Sequence, residues 1–245
     1  MNIRQLTLSV TSLSMAFCAM PLTQSLAADP PEVRRGTPQL TGDEVLKLVR
    51  MSQALQDLKH LNGVLRNDET GQKTPFDLSM AEGSIRFVFR DPPEVINLDL
   101  KGVPELRRVT SGRDLEIPKS LGSETVRNTS INYEDLSMRF LYWPHAKLLG
   151  DDTVHFRKCW HVRIPAPDNR GPYGTVDVWV DQGSGGILMM EAYDAHGKKV
   201  KQFKVISGQK LPGKDTWILK EMRVESYDPN KGDLKGRTYM DIKTP

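Results

Sequence analysis

The sequence predicts a mainly β, α+β fold: a strongly curved antiparallel sheet of about ten to eleven strands, with helices capping its apolar concave face. Three observations carry this. From residue 61 onward apolar residues recur at every second position in run after run; short turn signals separate the runs; and only residues 41–60 and 132–143 show helical spacing behind a capping residue. So many strands must hide both their edges and one apolar face, and a curved sheet with helices inside its curve does both. There is no βα alternation, fixed-period repeat or internal linker, so residues 41–245 read as one domain.

What precedes that domain has a different character. Arg4 supplies a positive end, Leu6 to Met20 is an apolar and hydroxyl stretch too short for a membrane span, and Ser25-Leu26-Ala27 puts small residues where a signal peptidase reads. Residues 1–27 are therefore expected to be a cleaved secretory signal, without lipidation because the bulky Phe17 precedes Cys18. Residues 28–40, with Pro30, Pro31, Gly36 and Pro38, read as a tether. The 34 basic and 31 acidic residues give a formal charge of +3, which falls to +2 once Arg4 is lost, so bulk charge selects neither acidic nor basic partners. Cys159 alone would remain, and it forms no internal disulfide.

The first helix is expected at Thr41, where Thr41 and Glu44 make a T-x-x-E capping box with Asp43 in the first turn. Val45, Leu48, Met51, Leu55 and Leu58 follow as one apolar stripe, and Gly63 ends the connection after it. Strands then alternate: Ile85, Phe87 and Phe89 against Arg86, Val88 and Arg90, then Ile96, Leu98 and Leu100 against Asn97 and Asp99, with Leu106 to Thr110 and Leu115 to Ile117 beyond. The second helix is capped by Asn132, carries Asp135 at its third position and Tyr133, Leu136 and Phe140 as its stripe, and must leave near Trp143 because Pro144 follows. The last hundred residues are a meander. Trp160, Val162 and Ile164 alternate with Cys159, His161 and Arg163, and Val176, Val178 and Val180 with Asp177, Trp179 and Asp181; turns at 183–186, 194–197, 212–213 and 228–232 join these to strands near 187–193, 199–206, 217–226 and 237–242.

Catalytic signatures are scarce. His155, Cys159 and His161 share parity and have the chemistry of zinc ligands, but Arg157 and Arg163 share that face, which favours a polar outer surface. There is no H-E-x-x-H, paired C-x-x-C, G-x-S-x-G, S-x-x-K or phosphate loop. Gly183-Ser184-Gly185 reads as a hairpin turn. The adjacent acids Glu134-Asp135 and Asp151-Asp152 read as solvated, since acid/base work needs carboxylates spatially opposed and unequally desolvated. Arg107-Arg108 and Lys198-Lys199 lack interleaved aromatics and read as solvated edges, so no nucleic-acid partner is expected. What remains is apolar: four Trp, several Phe and the pair Met189-Met190, at spacings that serve a core or a pocket equally well.

The stretch Tyr133-Glu134-Asp135-Leu136-Ser137-Met138-Arg139-Phe140-Leu141-Tyr142-Trp143-Pro144 resembles a segment of the outer-membrane lipoprotein-sorting proteins, the LolA-like family. Val178-Trp179-Val180-Asp181 before a Gly-rich turn, Glu191-Ala192-Tyr193-Asp194 to Gly197-Lys198, and the closing strands are similar too, so the likeness covers most of residues 41–245. Two positions depart from it: Phe156 stands where a Gly is expected in the turn after Val154, and Trp217 lacks its usual flanking Gly. The resemblance implies an incomplete β-barrel with lid helices over an apolar cavity, in the periplasm. Relatives there carry acyl chains, of lipoproteins on their way to the outer membrane or of free lipids. Phe87, Phe89, Phe140, Trp143, Trp160 and Trp179 are the expected wall residues, with the inner face of each strand left open. The expected partners are acyl chains of lipoprotein or lipid, with an inner-membrane transporter or an outer-membrane acceptor beyond them. No cofactor or metal is expected, and the protein is expected to be a monomer. A periplasmic sensor or interaction module on the same fold, and an enzyme acting on envelope lipids, are the competing readings.

Overall fold

The structure is a computed structural model that describes residues 40–54, 58–81, 83–101, 104–117, 122–168, 171–213 and 217–244. The expected signal peptide and all but the last residue of the expected tether fall outside these.

Helix α1, Gly42–Ala54, starts where the capping box places it: the Glu44 carboxylate accepts from the Thr41 N–H at 2.7 Å and from its hydroxyl at 2.9 Å, while the Glu44 N–H returns a bond to Thr41 Oγ1. Gly42 is needed there, because a Cβ would stand 2.5 Å from the Ala146 carbonyl oxygen. The buried stripe is Val45, Leu46 and Val49, whereas Leu48 and Met51 of the expected stripe are exposed. Both sets have helical spacing; contact with the sheet and with residues 139–142 selects the first. The helix also stops short of residue 60: Leu58 opens a strand, and Leu55 lies outside the described residues.

Six strands follow, β1 (Leu58–Asn67), β2 (Lys73–Ala81), β3 (Ser84–Phe89), β4 (Glu94–Asp99), β5 (Glu105–Thr110) and β6 (Arg113–Glu116). After a long crossing segment come β7 (Lys147–Val154), β8 (Arg157–Pro165), β9 (Thr175–Asp181), β10 (Ile187–Tyr193), β11 (Lys199–Lys210), β12 (Trp217–Tyr227) and β13 (Leu234–Lys243). All thirteen form one sheet in the order β6-β5-β4-β3-β2-β1-β13-β12-β11-β10-β9-β8-β7, antiparallel throughout, with β6 and β7 as its unjoined edges. This is the expected incomplete barrel, with more strands than the sequence resolves. In β1 and β2, Gly63 and Pro75 interrupt the alternation. Gly63 lies within β1 opposite Phe76, whose ring fills the space a side chain would need, 2.1 Å from an ideal Cβ.

The second helix begins as its sequence predicts. Asn132 Oδ1 accepts from the Asp135 N–H and Asp135 Oδ2 from the Asn132 N–H, both at 2.8 Å. Helix α2 is nonetheless only Tyr133–Ser137, not the continuous helix to 143 expected. Met138 takes a left-handed backbone with φ 46°, and a 3-10 turn, Arg139–Tyr142, completes the segment before Trp143 becomes extended ahead of Pro144.

Because consecutive strands are antiparallel neighbours, their turns alternate between two margins of the sheet. The turns after β1, β3, β5, β8, β10 and β12 lie on one margin, called here the strap margin. Those after β2, β4, β7, β9 and β11 lie on the other, the open margin.

Candidate functional site

Register identifies the inner face. Gly63, Phe76, Phe89 and Ile242 stand side by side across β1, β2, β3 and β13; Val224, Phe203, Met190, Val178 and Val162 do so across β12 to β8. All but Gly63 belong to one core cluster that also contains Val45, Leu46 and Val49 of α1 and Leu136, Phe140 and Leu141 of the crossing segment. The helices therefore sit on the apolar concave side. Arg50 Nη1 donates to the Leu141 carbonyl at 2.5 Å and ties the two covers to each other.

Residues 122–143 form a strap held to this face by polar side chains that rise among apolar neighbours. On one flank the Tyr133 hydroxyl donates to Glu94 Oε1 at 2.9 Å and accepts from Arg108 Nη1 at 3.2 Å, and Arg127 pairs with Glu94 at 2.9 Å while lying over the Phe89 ring. At the centre the Ser130 N–H donates to Thr238 Oγ1. On the far flank Lys201 Nζ reaches Asp135 Oδ2 at 2.6 Å, Tyr173 donates its hydroxyl to the other carboxylate oxygen, and Asn132 Nδ2 donates to the Tyr173 hydroxyl. Asp135, Tyr173 and Lys201 are all buried. Burial first, and then the Asp135 charge, push the Tyr173 phenol well above its usual range, so it stays a donor at any physiological pH. Glu134 is buried as well and is neutralised by Arg139 at 2.5 Å. The expectation that Glu134 and Asp135 are solvated is thus corrected: the cap turns both carboxylates inward, where each has its own cation.

Almost every strap contact falls in the half of the sheet next to the strap margin. Glu94 opens β4, Arg108 nears the end of β5, Lys201 is the third residue of β11, and Tyr173 precedes β9. The opposite half carries a different population. Apolar residues that are only partly buried against the core include Met80, Ile85, Leu100, Trp160 and Ile187, all toward the open margin, with Met222 midway along β12; among the described strand residues only Leu148 and Val200 share this state near the strap margin. None of the strap contacts named above reaches this half.

Five of the six expected wall residues are on the inner side, in two states. Phe87, Phe89 and Phe140 are buried outright, the first two in tilted contact with Phe76 at 5.8 Å. Trp143 and Trp160 are only partly buried; Trp143 stands edge-on to Phe140 at 6.4 Å. Trp179 is misplaced by the sequence reading. Val176, Val178 and Val180 take the inner positions of β9 and turn Trp179 outward, where it packs with Val154 and Cys159, stacks on His161 at 4.2 Å and donates to Asp152 Oδ2. On that outer face Asp177 accepts from both Arg163 and His161, and Asp181 from Arg157 and Ser184; the Arg157 guanidinium holds the Asp181 carboxyl down at about 2. His155 bonds the Val205 carbonyl from a turn and does not join Cys159 and His161; among the described residues no group of His, Cys, Asp and Glu is placed to hold a metal. The polar positions Glu94, Arg108 and Lys201 were missed, although each shares parity with apolar neighbours (Ile96, Leu106 and Phe203), which is the signal that marks them.

A protein-family model described as "Uncharacterized protein"-like matches residues 103–244, more than half of the chain. The chain belongs to that family. No curated protein matches this family member by sequence. Among solved structures it is similar to an outer-membrane lipoprotein-sorting protein domain from Vibrio parahaemolyticus, at TM-score 0.65 and 16% identity over 82% of this chain and 90% of that one. A LolA superfamily protein from Nitrosomonas europaea aligns at TM-score 0.62 and 15% identity, over 84% and 92% of the two chains. A DUF1329 family protein from Desulfovibrio piger aligns at 0.62 and 16%, over 82% and 91%. At such identities the likeness is one of fold, and the fold is LolA-like, as the Tyr133 to Pro144 stretch implies.

Proposed function

We propose that this protein is a periplasmic carrier that takes acyl chains of lipoproteins or lipids onto its concave face and releases them toward the outer membrane. One observation carries the reading: the inner face is divided, with polar contacts anchoring the strap in one half and incompletely buried Met, Ile, Leu and Trp side chains in the other. The second half has apolar surface left for a chain to cover, and its outermost residues lie where a chain enters without the strap's buried ion pairs being broken. Each methylene taken from water gains about 0.8 kcal/mol, so one long chain offsets the loss of part of the contact that α1 and the 3-10 turn make with the sheet. No bond is made or broken; the work is binding and release. The likeness to lipoprotein-sorting proteins supports the same reading, as does an N-terminal stretch whose sequence reads as a secretory signal.

Trp160 is the residue to test. Native mass spectrometry of the protein taken from the periplasm, with organic extraction of what it holds, is expected to release a lipid from the wild type and none from Trp160→Asp. A Trp160→Asp protein that keeps its ligand refutes the placement, and a wild type without extractable lipid refutes the carrier.

A further inference from the structure

Two aromatic side chains project from the open margin. Phe156, in the two-residue turn between β7 and β8, is as exposed as in an extended chain, at 103%. It has φ 62° and follows His155 at φ 49°, a backbone that favours Gly or Asn and gives a Phe nothing to pack on. Trp217 opens β12 opposite Lys210, is 67% exposed, and lies against Gly208. Ile206, 41% exposed, belongs to the same neighbourhood, because the bond between His155 Nε2 and the Val205 carbonyl, 2.9 Å, draws the β7–β8 turn against β11. Exposed large apolar side chains gathered at one margin mark a contact surface.

Lys158 and Lys220 flank the aromatics in sequence. The acids described nearby are already engaged: Asp181 by Arg157, Asp151 by Gln182, Asp152 by Trp179 and Glu221 by Arg66. Aromatic residues at separate loop tips with lysines beside them do not make the flat, close-packed surface of a protein interface. They match the headgroup layer of a membrane, where rings enter the acyl boundary and ammonium groups meet phosphate.

We infer that the open margin docks on an anionic lipid bilayer, with Phe156, Ile206 and Trp217 entering the headgroup–acyl boundary and Lys158 and Lys220 facing lipid phosphates. This deepens the carrier reading, on which it rests for its purpose: the incompletely buried half of the inner face opens at the same margin, so a chain drawn from the bilayer meets apolar side chains without crossing water.

Co-flotation of the purified mature chain with vesicles of phosphatidylethanolamine and phosphatidylglycerol, against vesicles of phosphatidylcholine, tests it. The wild type is expected to float with the anionic vesicles and to lose binding in high salt. The double variant Phe156→Ser with Trp217→Ser is expected to bind at least about tenfold more weakly, since burying one such ring is worth about a factor of ten or more. Lys158→Gln with Lys220→Gln should erase the preference for anionic lipid. Far-ultraviolet circular dichroism confirms that each variant is folded. Wild type that stays in solution, or aromatic variants that float equally well, overturn the inference. Uptake of a fluorescent fatty acid without vesicles separates the two ideas: it should survive Phe156→Ser with Trp217→Ser and fail in Trp160→Asp. Flotation without uptake removes the carrier and leaves the docking surface; uptake without flotation does the reverse.

Discussion

Lys201 and Met222 stand on the inner face of neighbouring strands, β11 and β12, yet they illustrate opposite uses of it. Lys201 lies toward the strap margin with its ammonium group buried against Asp135, inside a network completed by Tyr173 and Asn132. Met222 lies midway along β12, farther from the strap margin than Lys201, and packs only partly buried against the apolar core. A buried charge whose partner is removed is costly, so the first half is rigidly specified. An incompletely buried apolar side chain loses little when it moves, so the second half is free to exchange its contacts. One sheet of this fold thus keeps its stability in one region and its adaptability in another.

The largest effect that tests this division is expected at Lys201. Lys201→Met leaves Asp135 charged and unpaired in the core and should lower unfolding free energy by about 3–5 kcal/mol in a denaturant titration. Adding Asp135→Asn, which keeps the helix cap but removes the charge, should recover most of it. Met222→Ser is expected to cost only about 1 kcal/mol, below the usual range for emptying a fully buried site, while reducing retained lipid. Equal losses from Lys201→Met and Met222→Ser would erase the distinction between the halves.

The outer face supplies the smallest effect and a control. Asp181 titrates at about 2 because Arg157 bonds to it, below the ordinary 3.8. Its folded value is depressed, so the stability it contributes is present above about pH 4 and is lost as the pH falls through about 2. Asp181→Asn should therefore flatten the acid-unfolding curve in that window and leave both lipid retention and neutral-pH ligand release unchanged. A shift in lipid retention would connect the outer face to the site.

The strands, most of the turns and both helix starts were legible because they are local events. Thr41–Glu44 and Asn132–Asp135 are capping boxes that close within one turn, and alternation in β3, β4, β8 and β9 is a property of neighbouring residues. Errors arose where two local solutions were equally good. In α1 the stripes 45/48/51 and 45/46/49 both suit a helix, and only contact with β7, β8 and the 3-10 turn selects the second. Trp179 was assigned to the wall for its size, although Asp177 and Asp181 share its parity and already point to the outer face. Of the expected wall residues, Trp143 and Trp160 are only partly buried against the core, while Phe87, Phe89 and Phe140 are buried within it.

By itself the sequence determined most of the strands and both helix starts, the curvature that so many half-apolar strands require, and the kinship of the Tyr133 to Pro144 segment. Only the tertiary structure decided which acid meets which cation and which end of the concave face stays incompletely covered. The reason is range. Alternation and capping are settled among residues a few positions apart, whereas Asp135 and Lys201 are 66 residues apart and become neighbours only when the strap crosses the finished sheet.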